Sequence, residues 1–506
     1  MGAAAAVVSA SVLLSRLLGL GREALLAGFF GLNTDGDLYR WAFTIPDFLN
    51  YLLAGAFLTI TLIPILSRHL EKGDTKAANQ AFTSVFRFVA IAIVGLTALM
   101  WLFADQFVSL VFPEVVENHD RLVSLTRLVL PAQVFFVTGA ILMAVQYTHK
   151  RFVYPALAPI IYNLAIIGGG LIGAAISEPS PEAFLWGALI GSAIGNFGIQ
   201  WFGARQTGTW LTPIHKQDSA VREYLILAFP LMLGQSIAVL DETFVRIFGQ
   251  VEVGATSALT LARQLNMVPV GVIAQAAGVA AFPFLAGLFA KGEHDQLIET
   301  TGRASRNTLF IATAATGVLI VLAYPLVRLL YQYGAFSSDD SALVARLLTI
   351  YAFSIPAWGL QAILARHFYA KRKMWTPVLI GTAFTLLAIP AWLLSYDRWG
   401  VEGFALASSV IVSGYAAGLL IAWGRDSGWA AVGRLLPSLA RGLVAAAASV
   451  ALALPLINAI FGDSAGLTIW TGLAAGLVGG LTSLAVFLGV SLLLKAPELT
   501  ELPRKR

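Results

Sequence analysis

Ser15-Arg16-Leu17-Leu18-Gly19-Leu20-Gly21-Arg22-Glu23 sets three charges in the middle of the first long apolar run of the chain. At the centre of a bilayer each such charge costs roughly 2.5–3.5 kcal/mol, while each surrounding leucine returns only about 0.3–0.6. Arg16, Arg22 and Glu23 therefore need water or polar partners. On a helix, Ser15 and Arg22 share a face, as do Arg16 and Glu23, with Gly19 between the two stripes. Leu13, Leu17, Leu20 and Ala24 take the opposite side. The segment reads as a membrane helix with lipid or packing on one side and a polar cavity on the other.

Composition agrees with a membrane setting. Of 506 residues, 58% are hydrophobic and 12% charged, with a mean hydropathy of +0.78; a soluble domain carries about 25% charge. With no cysteine, the chain has no disulfides, thiolate metal sites or cysteine nucleophiles. No basic leader or small-residue cleavage site precedes the first span, so that helix is expected to be retained. A net charge of +5 could suggest nucleic acid, but the placement of the charges argues against it.

Apolar runs of about 20 residues fall near 5–31, 38–66, 79–104, 122–148, 153–176, 183–204 and 221–248. Seven more fall near 255–290, 304–331, 341–369, 376–395, 401–424, 435–459 and 467–494. Alternate connections differ in charge. One set holds Lys72/Lys76, Lys150/Arg151, Lys216/Arg222, Lys291/Arg303, Lys371/Arg372/Lys373, Arg425/Arg434 and the Lys495–Arg506 tail; all nine lysines lie there. The other holds Asp35/Asp37, Glu114/Glu117, Glu178/Glu182, Glu252, Asp339/Asp340, Asp397 and Asp463. By the positive-inside rule both termini are cytoplasmic, which requires an even number of spans. The predicted fold is an all-α polytopic membrane protein with 14 transmembrane helices.

The sequence also repeats itself. Pro64 with Lys72-Gly73-Asp74 recurs as Pro283 with Lys291-Gly292-Glu293, an offset of 219. Phe29-Phe30-Gly31 recurs as Ile247-Phe248-Gly249 at 218, and Lys150–Pro155 as Arg372–Pro377 at 222. Six spans separate the copies, so both keep the same orientation: a parallel repeat, with the site expected between lobes. This predicts an N-lobe at 1–212, a C-lobe at 213–430, and two appended helices with a basic tail at 431–506.

No Walker A, G-x-S-x-G or H-E-x-x-H motif occurs, and the six histidines are scattered, so neither an enzyme nor a metal or other cofactor is indicated. What stands out is polar residues at lipid depth. In span 2, Pro46 and Gly55 interrupt or loosen the helix around Asp47 and Asn50, which share a face. In span 7, Asp241 and Glu242 lie beside Arg246, with Glu242 and Arg246 at helical-pair spacing. In span 8, Arg263, Gln264 and Asn266 precede Pro269. With span 1, these spans are the first two of each repeat. Two arginines against one glutamate in span 1 leave cation in excess, which suggests an anionic ligand, and the planar fork of arginine suits phosphate.

At this point the chain resembles the MurJ (MviN) family, the lipid II flippases of the multidrug/oligosaccharidyl-lipid/polysaccharide exporter superfamily. The residues that carry the resemblance are Ser15-Arg16, Gly19, Arg22-Glu23, Gly36-Asp37, Ala42-Phe43 with Pro46, Gly55-Ala56-Phe57 and Pro64. Pro269 with Gly271, Pro283, Gln332-Tyr333-Gly334, Phe368-Tyr369 and Thr376-Pro377 continue it. The resemblance implies a MurJ/MATE-like fold and alternating access for a lipid-linked peptidoglycan precursor, with cavity arginines receiving the pyrophosphate headgroup. Arg16 and Arg22 match the family's pattern, and Glu23 matches as a conservative acid. Two arginine positions of the family are Asn50 and Gln264 here, with Arg263 displaced by one residue. The acid usual before Gly-Ala-Phe is missing at Ala54, and the family's proposed cation site on helix 11 has no counterpart in 376–395.

The sequence therefore predicts a multi-pass flippase of the bacterial inner membrane, working as a monomer among membrane lipids. Its substrate would be a lipid-linked pyrophosphate saccharide, with lipid II favoured. Ser15, Arg16, Arg22, Glu23, Asp47, Asn50, Arg263 and Gln264 would bind the headgroup. Pro46, Gly55, Asp241, Glu242, Arg246 and Pro269 would gate or pair. The competing readings are a flippase for another polyprenyl-linked glycan and a transport-inactive scaffold for cell-wall synthesis enzymes.

Overall fold

Gly31, with φ of 62°, ends the first helix, α1 (Gly2–Phe30), at a place where a side chain would be strained. The computed structural model describes residues 2–52, 55–213, 220–227, 243–274, 280–462, 466 and 468–501. Among them the secondary structure is helical, with no strand. Two compact units divide the chain, Met1–Ser257 and Ala258–Arg506.

In the first unit, Asn33 caps α2 (Thr34–Ala42) by accepting from the Gly36 amide at 3.1 Å. Asp35 and Asp37 sit in its first turn, where the helix dipole favours acids. Next come α3 (Thr44–Leu52), α4 (Gly55–Glu71), α5 (Thr75–Leu102), α6 (Ala104–Val111), α7 (His119–Val129) and α8 (Ala132–Thr148). After them come α9 (Val153–Ile176), α10 (Pro181–Gly191), a π-helical turn at Ser192–Gly198 and α11 (Ile199–Arg205), with further helical residues at 220–227 and 243–248. The core around the charged stretch joins Leu26 and Phe30 of α1 to Leu38 and Trp41 of α2, Leu125 of α7, Ile166 of α9 and Phe184 of α10. The Phe184 ring meets Phe29, Phe30 and Tyr39 edge-on.

Span 2 is thus not one helix kinked at its proline. The break falls at Phe43, and Pro46 occupies the first turn of a new helix, where its missing N–H has no intrahelical acceptor to lose. The reading of Gly55 as a loosening point adjoins residues 53–54, which lie outside the described residues. Pro269, by contrast, lies inside one continuous helix, α12 (Ala255–Ala274).

The second unit continues with α13 (Ala280–Ala290), α14 (His294–Leu330), α15 (Ser338–Ala352), α16 (Ile355–Ala370) and α17 (Trp375–Ser427). It ends with α18 (Trp429–Gly433), α19 (Leu436–Phe461), α20 (Ile469–Leu493) and the short α21 (Glu498–Glu501). The long α17 carries a non-helical Gly400 at φ 55°, ψ −140°. Around that point it doubles back: Trp392 stacks on Phe404 at 5.2 Å and donates to Ser408 Oγ, and Tyr415 donates to the Pro377 carbonyl. Spans 11 and 12 are the arms of this hairpin.

Nine helical stretches among the described residues are long and apolar enough to cross a bilayer, and they contain spans 3–6 and 9–14. Much of span 7, and residues 53–54 of span 2, lie outside the described residues. The repeat is visible in the backbone. Lys150 (φ 56°) and Arg372 (φ 58°) end helices with the same pair of bonds: Lys150 N to Tyr147 O and Arg151 N to Gln146 O, matched by Arg372 N to Tyr369 O and Lys373 N to Phe368 O. Gly73 and Gly292 form the same motif after α4 and α13. The third sequence match diverges, since Gly31 has a left-handed backbone and Gly249 opens a 3₁₀ turn.

Candidate functional site

The charges of α1 lie in a polar chain built within the first unit. Arg22 donates from Nη2 to Glu23 Oε1 at 2.8 Å and from Nη1 to Asn163 Oδ1 of α9 at 3.3 Å. Asn163 is held in turn, its Nδ2 donating to the Pro159 carbonyl at 2.9 Å and to Ser15 Oγ at 3.5 Å. The other oxygen of Glu23 accepts from Arg40 Nη2 of α2 at 2.9 Å. Arg40 Nη1 reaches the Gly36 carbonyl and Ser257 Oγ, both at 2.9 Å.

Asp37 closes the chain. Its carboxylate is fully buried and accepts from the Ser257 hydroxyl at 2.6 Å, the Ser257 amide at 2.8 Å and the Gly254 amide at 2.7 Å. Gly254 immediately precedes α12 and Ser257 lies in its first turn, where unpaired N–H groups and the helix dipole favour an anion. Asp37 supplies that anion from the chain itself. Gly36 lies against the same serine, and a Cβ there would come within 3.1 Å of Ser257 Oγ. Trp41 donates to Thr256 Oγ1 at 2.8 Å beside it.

The cluster draws in charges from outside α1. Arg22 and Arg40 face Glu23 and Asp37, two cations against two carboxylates, so the surplus cation of α1 is Arg16, which is exposed. Glu23 has both oxygens engaged inside the protein. Of the two cluster arginines, Arg22 is the accessible one, its side chain 23% exposed against 7% for Arg40. Two of the five Arg22 donors are in use on Glu23 and Asn163, which leaves N–H groups for an incoming anion.

A second pair lies on α3. Arg246 Nη1 donates to Asp47 Oδ2 at 2.8 Å, so a residue expected to touch the headgroup and one expected to pair within span 7 meet each other. Asp241 and Glu242 lie outside the described residues. Asn50 is half-buried on the same helix as Asp47, and Pro46 is buried. In the second unit, Arg263 and Gln264 are half-buried on α12, and Asn266 is buried with Nδ2 donating to Ser354 Oγ at 3.3 Å.

Sequence reasoning missed Arg40, Asn163 and Ser257 as site residues and used Asp37 only as a landmark and a loop charge. Arg40 was detectable as a charge within Leu38–Ile45, and Asn163 as a lone amide in the apolar run of span 5. Ser257 carried no signal, because its role depends on where α2 meets the start of α12.

The family described as "Lipid II flippase MurJ" matches residues 26–471. A "Probable lipid II flippase MurJ" of Rhizobium meliloti (strain 1021) is 24% identical over 444 residues, covering 83% of this chain and 81% of that protein. A solved structure titled "Lipid II flippase MurJ, inward closed conformation" superposes with a TM-score of 0.78 at 22% identity, covering 98% of this chain and 99% of the other. An inward-facing multidrug resistance MATE family transporter of the MOP superfamily superposes at 0.66 and 16% identity, over 83% of this chain and 96% of the other.

Proposed function

Because this chain belongs to the lipid II flippase MurJ family, as the match across residues 26–471 shows, we propose that it carries lipid II across the bacterial inner membrane. That match is the observation on which the reading rests. Arg22 and Arg16 would take the pyrophosphate, Arg22 because Glu23 and Asn163 hold its guanidinium while leaving donors free. Asn50, Arg263 and Gln264 would meet the uncharged parts of the headgroup. Asp47–Arg246 and the Asp37 cap on α12 would be contacts that reform and break as access alternates between lobes 1–212 and 213–430. The prenyl tail would stay in lipid beside the appended helices of 431–506. Both termini would be cytoplasmic, and the protein would act as a monomer alongside cell-wall synthesis enzymes.

The deciding experiment is complementation. Arg22→Ala should fail to rescue a flippase-depleted bacterium while reaching the membrane at normal levels by immunoblot. Normal growth on that variant would overturn the assignment. Asn50 and Gln264 favour a second reading, a flippase for a different polyprenyl-linked glycan. Each replaces a family arginine and so weakens phosphate capture by about 1–3 kcal/mol. Binding of purified lipid II measured against other undecaprenyl-linked saccharides separates the two.

A further inference from the structure

We infer that the second unit holds a binding site for an anionic phospholipid, with Arg366 as its anion-binding group. A cavity of about 520 Å³ opens between α12, α13, α16 and α17, walled by Met267, Phe282, Trp358, Tyr369 and Tyr415 around Arg366. Pockets of this size hold small ligands or part of a larger one. Here there is room for a phosphodiester headgroup and the start of its chain, with the remainder left in the bilayer.

Charge identifies the occupant. Arg366 is half-buried and donates from Nη1 to the Ala362 carbonyl at 2.8 Å. Among the described residues no carboxylate forms an ion pair with it, whereas the nearby Lys371 and Lys373 both bind Asp426. A guanidinium in an aromatic-walled membrane cavity, satisfied by one carbonyl, calls for an anion.

Depth identifies the source. Arg366 lies four residues before the end of α16 at Ala370, about 6 Å inward at 1.5 Å per residue. That puts it near the helix end that meets the Lys371-Arg372-Lys373 loop, where the span leaves the bilayer for a basic connection. The leaflet concerned is the one bordered by that loop, the cytoplasmic one in the orientation proposed above. Basic pockets between helices on that side are the usual receptors for anionic headgroups.

Native mass spectrometry of the delipidated full-length protein tests this with phosphatidylglycerol, phosphatidylcholine of the same chains, and inorganic phosphate. The wild type should retain phosphatidylglycerol about tenfold more tightly than phosphatidylcholine, the scale of one charge-assisted contact, and should not hold free phosphate. Arg366→Gln should abolish the preference, Arg366→Lys should keep part of it, and Arg346→Gln, which removes an exposed pair with Glu402, should leave it intact. Absence of the preference in the wild type, or its full survival in Arg366→Gln, overturns the inference. So does equal binding of inorganic phosphate, or one-for-one displacement of phosphatidylglycerol by a polyprenyl pyrophosphate, which would make the cavity part of the transport path.

Discussion

Asp37 accepts three hydrogen bonds from two residues at the start of α12, and each of those donors is buried with it. Removing the carboxylate strands two amides and a hydroxyl and leaves Arg40 with one carboxylate neighbour fewer. Breaking such a buried charged contact costs about 3–5 kcal/mol. Asp37→Ala should therefore lower the thermal unfolding midpoint of the purified protein sharply, and Asp37→Asn, which still offers an acceptor, should fall between. Equal midpoints for all three proteins would show that the cap carries no stability. At this scale the sequence was informative where a charge interrupted an apolar run, as at Arg22 and Glu23. It did not show where the excess sits: Arg22 and Arg40 are balanced by Glu23 and Asp37, and the cation left over is Arg16. Which side chains converge on a carboxylate depends on tertiary contacts such as Asp37 to Ser257, 220 residues apart, and no local pattern encodes them.

The helices themselves pack through small residues where lipid gives no hydrophobic incentive for association. Gly139 of α8 lies against the π-helical turn at Ser192–Gly198, and a Cβ there would sit 1.8 Å from the Asn196 carbonyl oxygen. That oxygen is backbone and cannot swing aside. Gly139→Ala should destabilise by about 3 kcal/mol or more, beyond the ordinary cost of overpacking a core, read as a drop in detergent-resistant folded protein. Gly95, with nothing near it, is the matching control: Gly95→Ala should be neutral. Apolar runs located spans 3–6 and 9–14 because length and hydropathy alone define them. They misjudged span 2, where Phe43 breaks the chain ahead of Pro46, since a proline marks the neighbourhood of a break and its position in the helix decides whether it causes one.

Across the whole molecule, the one-sided lysines predict orientation, and the cysteine-free sequence makes the prediction simple to check. In intact cells an impermeant maleimide should label Glu114→Cys and leave Lys72→Cys unmodified until the membrane is permeabilised. The reverse pattern would invert the topology. The repeat was legible in three short matches, and two of them reappear as backbone geometry, at Lys150 with Arg372 and at Gly73 with Gly292. Lys150, Arg372 and Lys495 all hold a left-handed backbone whose steric cost, roughly 1–2 kcal/mol for a side-chain-bearing residue, glycine avoids. Glycine at any of the three would give a better-folded protein and would delete a charge that anchors its loop on one side during insertion. Selection for thermal stability and selection for correct insertion thus pull these positions in opposite directions. A variant library ranked on melting temperature alone would favour the chains most prone to thread the membrane the wrong way round.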